Sequence, residues 1–242
     1  MKTAIILAAR REKESEIPYP LKAFAPDLCL LDRTIGILRD LHFSNILIVV
    51  GYKAEMFRKY EADDVTLIVN KDYEFTASMG SLALAKDYVK EDFLLIESDT
   101  FYERRLIERL AARTEGNCLS MTEESGSGDE CFMETKNGFV TKITKDRHRV
   151  CHFEGEMIGV SRITLDTFKM LVNAWEHASN PYLNYEYLLM DVTEPLDRPV
   201  LVLKNLIWGD VDCEEDFKKL QNVISPRLRR RENPFDHDNL IM

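Results

Sequence analysis

The sequence predicts an α/β protein with a doubly wound, mostly parallel, Rossmann-like sheet and a small antiparallel β insert. Three observations point there. Residues 3–9, 45–50 and 93–96 are short, nearly continuous apolar runs, the pattern of strands buried on both faces of a parallel sheet. Segments of helical spacing lie between them, which is the βαβ rhythm. The middle of the chain breaks that rhythm with short strand-like runs separated by Gly-rich or polar turns.

Each element follows in order. After strand 3–9 comes a charged, proline-bearing loop, then a helix over 34–41 and strand 45–50, which ends at Gly51. A helix over 54–60, a strand over 65–69 and a helix over 81–89 lead to strand 93–96, which runs straight into Glu97, Ser98 and Asp99. The runs 118–121, 131–134, 139–144 and 157–163, broken by Gly126, Gly128 and Asn137-Gly138, predict the antiparallel insert. A helix over 165–178 is bounded by Asn180-Pro181, and an aromatic-rich helix covers 182–190. Strand 200–203, the acidic Asp210-Val211-Asp212 and a closing helix over 214–223 complete the chain. Without repeats or a low-complexity linker, one domain over 1–225 with a C-terminal tail over 226–242 is expected.

Composition narrows the function. The 242 residues are 45% hydrophobic and 31% charged, which suits a globular domain with a substantial core. A formal net charge of −10 argues against nucleic acid, whose phosphates are held by clustered Lys and Arg. The basic run Arg227 to Arg231 is followed by acidic residues and reads as a solvated helix end or tail. Five scattered cysteines with no C-x-x-C pair suggest reduced thiols rather than a disulfide framework or a zinc site. With no apolar stretch near 18 residues and no leader pattern, neither export nor a membrane span is expected, and the cytoplasm is the predicted location.

Strand ends deliver the chemistry. In open α/β sheets ligands bind beyond the carboxyl ends of the strands, which directs attention to the loops after Ala9 and Ile96. Asp99 follows one apolar run, and Asp210 and Asp212 follow Leu206-Ile207-Trp208-Gly209 much later in the chain. Any one of these aspartates alone reads as a turn former or helix N-cap. Together they suit a triphosphate site, where carboxylates beside phosphates require a hard divalent cation such as Mg²⁺ between them. Lys22 stands in Pro18-Tyr19-Pro20-Leu21-Lys22, where two prolines stiffen the approach of a lysine that could reach an α-phosphate. No G-x-x-x-x-G-K-[ST] and no G-x-G-x-x-G occurs, which disfavours a P-loop kinase or a dinucleotide-dependent reductase.

In this order the segments resemble the sugar-phosphate nucleotidyltransferase superfamily over nearly the whole chain. Ile5 to Ala9 and Pro20-Leu21-Lys22 stand where that superfamily has I-I-L-A-A-G and P-K. Ser78 to Leu82 match its base-contacting helix start, Ser98-Asp99 its first metal ligand, Val140 to Lys145 a phosphate-contacting lysine, and Trp208 to Asp212 its second metal segment. Residues 81–88, 93–99 and 210–216 are similar to small cytidylyltransferases acting on phosphocholine, aminoalkylphosphonates or inositol 1-phosphate.

The resemblance implies a nucleotidyltransferase fold with a nucleotide half over about 1–110 and an acceptor half over about 111–225. It implies catalytic Lys22, Arg11, Asp99 and Asp212, with Mg²⁺ on Asp99, Asp210 and Asp212. Nucleotide contacts fall on Leu7, Ala8, Ala9, Arg10, Ser78 and Ser81. Acceptor contacts fall on Lys145, Glu156, Tyr185 and Glu186, with Phe153, Glu154, Tyr182 and Trp208 in neighbouring segments. The implied partners are a nucleoside triphosphate, with CTP favoured, and a small phosphate or phosphonate acceptor; a homodimer stays open. A nucleotide-sugar pyrophosphorylase, a molybdenum-cofactor guanylyltransferase-like enzyme and a catalytically silent nucleotide-binding module are the alternatives. One departure stands out: where the superfamily has A-G-x-G-x-R, this chain has Ala9-Arg10-Arg11-Glu12-Lys13-Glu14. Glycine there lets backbone N–H groups approach phosphates; either charge-assisted contacts from Arg10 and Arg11 substitute for it, or the loop is a degenerate remnant.

Overall fold

The computed structural model describes residues 1–12, 15–128 and 130–232. Lys13 and Glu14 of the first loop, and the expected tail beyond 232, lie outside the described residues. The first half runs β1 (Thr3–Ala8), β2 (Ala23–Ala25), β3 (Leu28–Cys29), α1 (Leu30–Asp40), β4 (Asn45–Val50), β5 (Val65–Val69), α2 (Ser78–Ala83) and β6 (Phe93–Glu97). There follow β7 (Thr100–Tyr102), α3 (Arg104–Ala111), β8 (Cys118–Thr122), β9 (Phe132–Lys136), β10 (Phe139–Thr144) and β11 (Gly155–Ile163). The chain ends with α4 (Leu165–Glu176), α5 (Tyr185–Val192), β12 (Val200–Val202), β13 (Trp208–Asp210), α6 (Glu214–Lys219) and α7 (Ser225–Glu232).

The main sheet has the order β10-β9-β11-β6-β1-β4-β5, with β8 joined to β11 and β12 to β8. Its strands from the first half of the chain are parallel: β1 pairs β4 and β6, and β4 pairs β5. The expected antiparallel strands do not stand apart. β11 pairs antiparallel with β6 and carries β8 and β9, so they extend the same sheet.

Apolar alternation explains the layering. Ala4, Ile6, Leu94 and Ile96 face one core with Leu31, Ile35 and Leu38 of α1 and Leu106, Ile107 and Leu110 of α3. Ile5, Phe93 and Leu95 face the other, with Met79 and Leu82 of α2, Phe168 and Leu171 of α4, and Leu188 and Leu189 of α5. Successive residues point to opposite faces, so strands apolar at every position sit between two helical layers. A third core gathers Tyr19, Phe24, Phe101, Val211, Phe217 and Leu228. It fastens the β7–β13 ribbon and α7 to the body.

Several boundaries shift. The helix expected from 34 starts at Leu30, where Cys29 caps it: its Sγ accepts from Asp32 N–H (3.4 Å) while Asp32 accepts from Cys29 N–H (3.0 Å). The segment 54–60 winds as a 3₁₀ helix. The helix expected over 81–89 is α2, earlier and shorter. The tail expected from 226 is helical as far as Glu232, with Leu228 buried and Arg231 2.7 Å from Glu103. Among the described residues no helix is long and apolar enough to cross a membrane.

Candidate active site

β1 and β6 end side by side because they pair in parallel, with Leu7 opposite Glu97. Ser98 N–H donates to the Leu7 carbonyl (3.1 Å), which continues the pairing and sets Asp99 beside the loop leaving β1. Asp210 and Asp212 arrive by another route. β13 pairs antiparallel with β7, Asp210 opposite Thr100, and Val211 N–H donates to the Asp99 carbonyl (3.1 Å). Val211 is buried in the third core. Its two neighbours in this extended segment therefore project the other way, onto a cavity of about 390 Å³ that Asp99 also lines. That volume is within the usual range for small-molecule sites, roughly 300–1,000 Å³.

Arg10 stands between the two acidic segments. Its guanidinium lies 2.6 Å from Asp212 Oδ1, 3.3 Å from Asp99 Oδ2 and 3.8 Å from Glu12 Oε2. One cation thus reaches both aspartates, although they lie far apart in the chain. Burial pushes the Asp99 carboxyl up, Arg10 draws it down and Asp212 pushes it up again. Burial and then Asp99 hold Asp210 well above the usual carboxylate range. Asp210 is exposed by surface area, but that surface faces the cleft, and the protein around the cleft governs its charge. Burial likewise pushes Glu12 to about 7.

Crowded carboxylates of this kind call for a cation. Aspartate oxygens are hard donors suited to Mg²⁺, which is usually held by one or two carboxylates together with substrate phosphates. Among the described residues no three His, Cys, Asp or Glu side chains form a ready-made metal cage. Asp99, Asp210 and Asp212 are donors of the kind Mg²⁺ takes.

Leu7, Ala9 and Arg11 line the same cavity. Ala8 turns into the first core, which leaves only its backbone to face a ligand. Arg11 pairs with Glu74 at 2.7 Å. Ser78 and Ser81 also line the wall; Ser81 Oγ accepts from Asn70 Nδ2 (3.0 Å), and Ser78 Oγ accepts from Tyr185 N–H (3.0 Å), which ties α2 to α5. Lys145, Glu156, Tyr185 and Glu186 line the cavity as well.

Lys22 is not on the cavity wall. Its ammonium pairs with Glu214 at 2.5 Å and lies 4.4 Å from the centre of the Phe217 ring, two residues along the chain from Asp212 at the carboxylate it meets. Phe153 packs edge-on against Phe132, Glu154 accepts from Thr135 Oγ1, and Tyr182 is exposed, so none of these lines the cavity. Trp208 borders an adjoining hollow of about 640 Å³, which shares Arg10, Arg11, Asp210 and Asp212 with the cavity.

Glu97 is the main addition to the site. Its carboxyl is pushed up by burial, then by Asp99 and Glu186. Its sequence signal is an acidic residue closing an apolar strand just before the turn that carries Asp99. Gly159 makes room for it: a Cβ there would lie 2.7 Å from Glu97 Oε2. Burial also raises Glu186, and it lifts Glu156 to about 7 although Glu156 accepts from Ser125 N–H (2.7 Å). Burial, Glu97 and Glu186 hold the Tyr185 hydroxyl well above its ordinary range. Asn184 and Cys131 complete this wall.

No family model matches the chain. It is 26% identical, over 93% of its length, to the bifunctional IPC transferase and DIPP synthase of Archaeoglobus fulgidus, and covers 44% of that protein. It is 30% identical, over 48% of its length, to the CMP-5'-(3-aminopropyl)phosphonate synthase of Streptomyces rubellomurinus, and covers 20% of that protein. The chain therefore spans less than half the length of these two relatives. The solved inositol-1-phosphate CTP transferase of T. maritima superposes with a TM-score of 0.77 at 19% identity, covering 95% of this chain and 96% of that one. The fold is the nucleotidyltransferase fold. Solved structures that share it include the CTP:phosphocholine cytidylyltransferase of Streptococcus pneumoniae and a putative glucose-1-phosphate thymidylyltransferase of Bacillus anthracis.

Proposed function

We propose that the chain is a cytoplasmic, Mg²⁺-dependent cytidylyltransferase that joins CTP to a small phosphorylated or phosphonylated alcohol or amine and releases pyrophosphate. The observation that carries this reading is the meeting of Asp99 and Asp212 on one guanidinium, at the rim of a cavity that Asp210 also lines. An acceptor phosphate or phosphonate is already anionic at neutral pH. Its oxygen bonds to the α-phosphorus as the bridging bond to the β-phosphate breaks, and pyrophosphate leaves with that electron pair. No covalent enzyme intermediate and little acid–base help are required, so catalysis is positioning and charge neutralisation.

In this reading Asp99 and Asp212, with Asp210, hold Mg²⁺, which when bound neutralises charge on the reacting phosphates. Arg11 and Lys22 hold the triphosphate, Lys22 by giving up Glu214. Ser78, Ser81 and the backbone of Leu7 to Ala9 meet the base. Lys145 steadies the acceptor phosphate, while Glu156, Tyr185 and Glu186 surround the other end of the acceptor. The crowding of Glu97 and Glu186 there favours an amine-bearing acceptor, because a cation relieves their mutual repulsion. CTP is favoured by the likeness to the cytidylyltransferases.

The test is pyrophosphate release from CTP, UTP, GTP and ATP, each offered with phosphocholine, aminoethylphosphonate, inositol 1-phosphate and hexose 1-phosphates. CTP with one of the first three is the expected pair. Release only with a hexose 1-phosphate would point to a nucleotide-sugar pyrophosphorylase, and GTP dependence to the guanylyltransferase type. The glycine-free loop and its arginine on the metal carboxylates favour a second reading, a silent nucleotide-binding module. Calorimetry showing Mg²⁺-independent nucleotide binding, with no pyrophosphate from any pair, would select it.

A further inference from the structure

Residue 10 carries a side chain where the resembled motif has glycine, and that side chain occupies the metal carboxylates themselves. The Arg10 guanidinium bridges Asp212 Oδ1 at 2.6 Å and Asp99 Oδ2 at 3.3 Å, with buried Glu12 3.8 Å away. Burial alone would lower its affinity for a proton, yet Asp99 and Asp212 outweigh that and raise it. Arg10 stays charged throughout, and its planar fork matches carboxylate and phosphate oxygens alike. A bare divalent ion and this guanidinium therefore compete for the same oxygens. A metal–triphosphate complex does not meet the same obstacle, because it brings phosphate oxygens that can take the guanidinium as the aspartates release it.

We propose that Arg10 is a resident cation of the metal site: it keeps divalent ions off Asp99 and Asp212 in the free enzyme and passes to the phosphates when a metal–triphosphate binds. This rests on the nucleotidyltransferase reading above and adds an order of events, in which metal enters with nucleotide. Arg10 is half exposed on a loop, which gives it the freedom to swing between the two partners. It is a positioning residue for the metal, with an effect on binding that appears before any turnover.

The experiment is Mn²⁺ binding, followed by electron paramagnetic resonance, to the full chain and to its Arg10→Ala and Arg10→Gln variants. Each is measured without nucleotide and with the non-hydrolysable cytidine α,β-methylene triphosphate, and Asp99→Asn is the metal-site control. Without nucleotide, both Arg10 variants are expected to bind Mn²⁺ about tenfold tighter or more than the wild type, the scale of a lost charge-assisted contact. The analogue should tighten Mn²⁺ binding far more in the wild type than in either variant. Equal Mn²⁺ affinity of all three without nucleotide, with tight binding in all three once the analogue is present, overturns the role of Arg10 and leaves the transferase reading standing. No Mn²⁺ on any of them with the analogue present overturns both.

Discussion

Asp99 touches Arg10 through its side chain and Val211 through its backbone, so a side-chain change can be separated from the strand pairing it sits in. Asp99→Asn keeps shape and removes charge. Turnover should fall roughly 10²- to 10³-fold or more, measured as pyrophosphate release, while the thermal midpoint stays close to wild type. At the acceptor end, Glu186→Gln should raise the KM for an amine-bearing acceptor about tenfold and leave that for inositol 1-phosphate unchanged. A uniform rise for both would remove Glu186 from headgroup recognition. The three aspartates were legible because strand ends in α/β sheets advertise themselves. The partner of Lys22 was not, because Glu214 lies far along the chain and only the third core brings it near. Glu97 needed burial as well as its place in the sequence: an acidic residue on a strand is ordinary until a glycine across the sheet opens space for it.

At the scale of elements, β11 does more than extend the sheet. It runs beside β6, and its Gly159 clears the way for Glu97 and Thr100; a Cβ there would lie 2.7 Å from Glu97 Oε2 and 2.8 Å from Thr100 Oγ1. Gly159→Ala should therefore cost about 1–3 kcal/mol, the usual range for overpacking, read by denaturant unfolding, and should lower turnover with it. Unchanged stability and rate would mean that the strand yields. The parallel strands were readable from their unbroken apolar runs. Less so were the helices: α1 starts on a cysteine cap rather than the usual Ser, Thr, Asp or Asn, and α3 carries four charged side chains among its eight residues, which hid Leu106, Ile107 and Leu110. The fusion of the insert with the main sheet was invisible, since pairing between β11 and β6 is a long-range fact with no local signal.

Over the whole molecule, acidic groups gather on one cavity in a chain of net charge −10. Burial raises Glu156 from its ordinary 4.5 to about 7. The folded state therefore holds this proton more tightly than the unfolded one, so the contribution is complete below the ordinary value and is lost as pH rises through about 7. Thermal midpoints should fall between about pH 5 and pH 7, a fall to which Glu12, also raised to about 7, adds, and Glu156→Gln, which can still accept from Ser125, should make it shallower. An identical slope in the variant would place the proton elsewhere. The proposed function has acidic segments from distant parts of the chain converge to hold a divalent ion against a bound triphosphate. It is tested most directly by pyrophosphate release from CTP and an amine-bearing phosphate or phosphonate, with Mg²⁺ and with a chelator, in the wild type and in Asp99→Asn. Release that requires Mg²⁺ and vanishes in the variant is the predicted result; equal release from both proteins, or release that persists in the chelator, would contradict it.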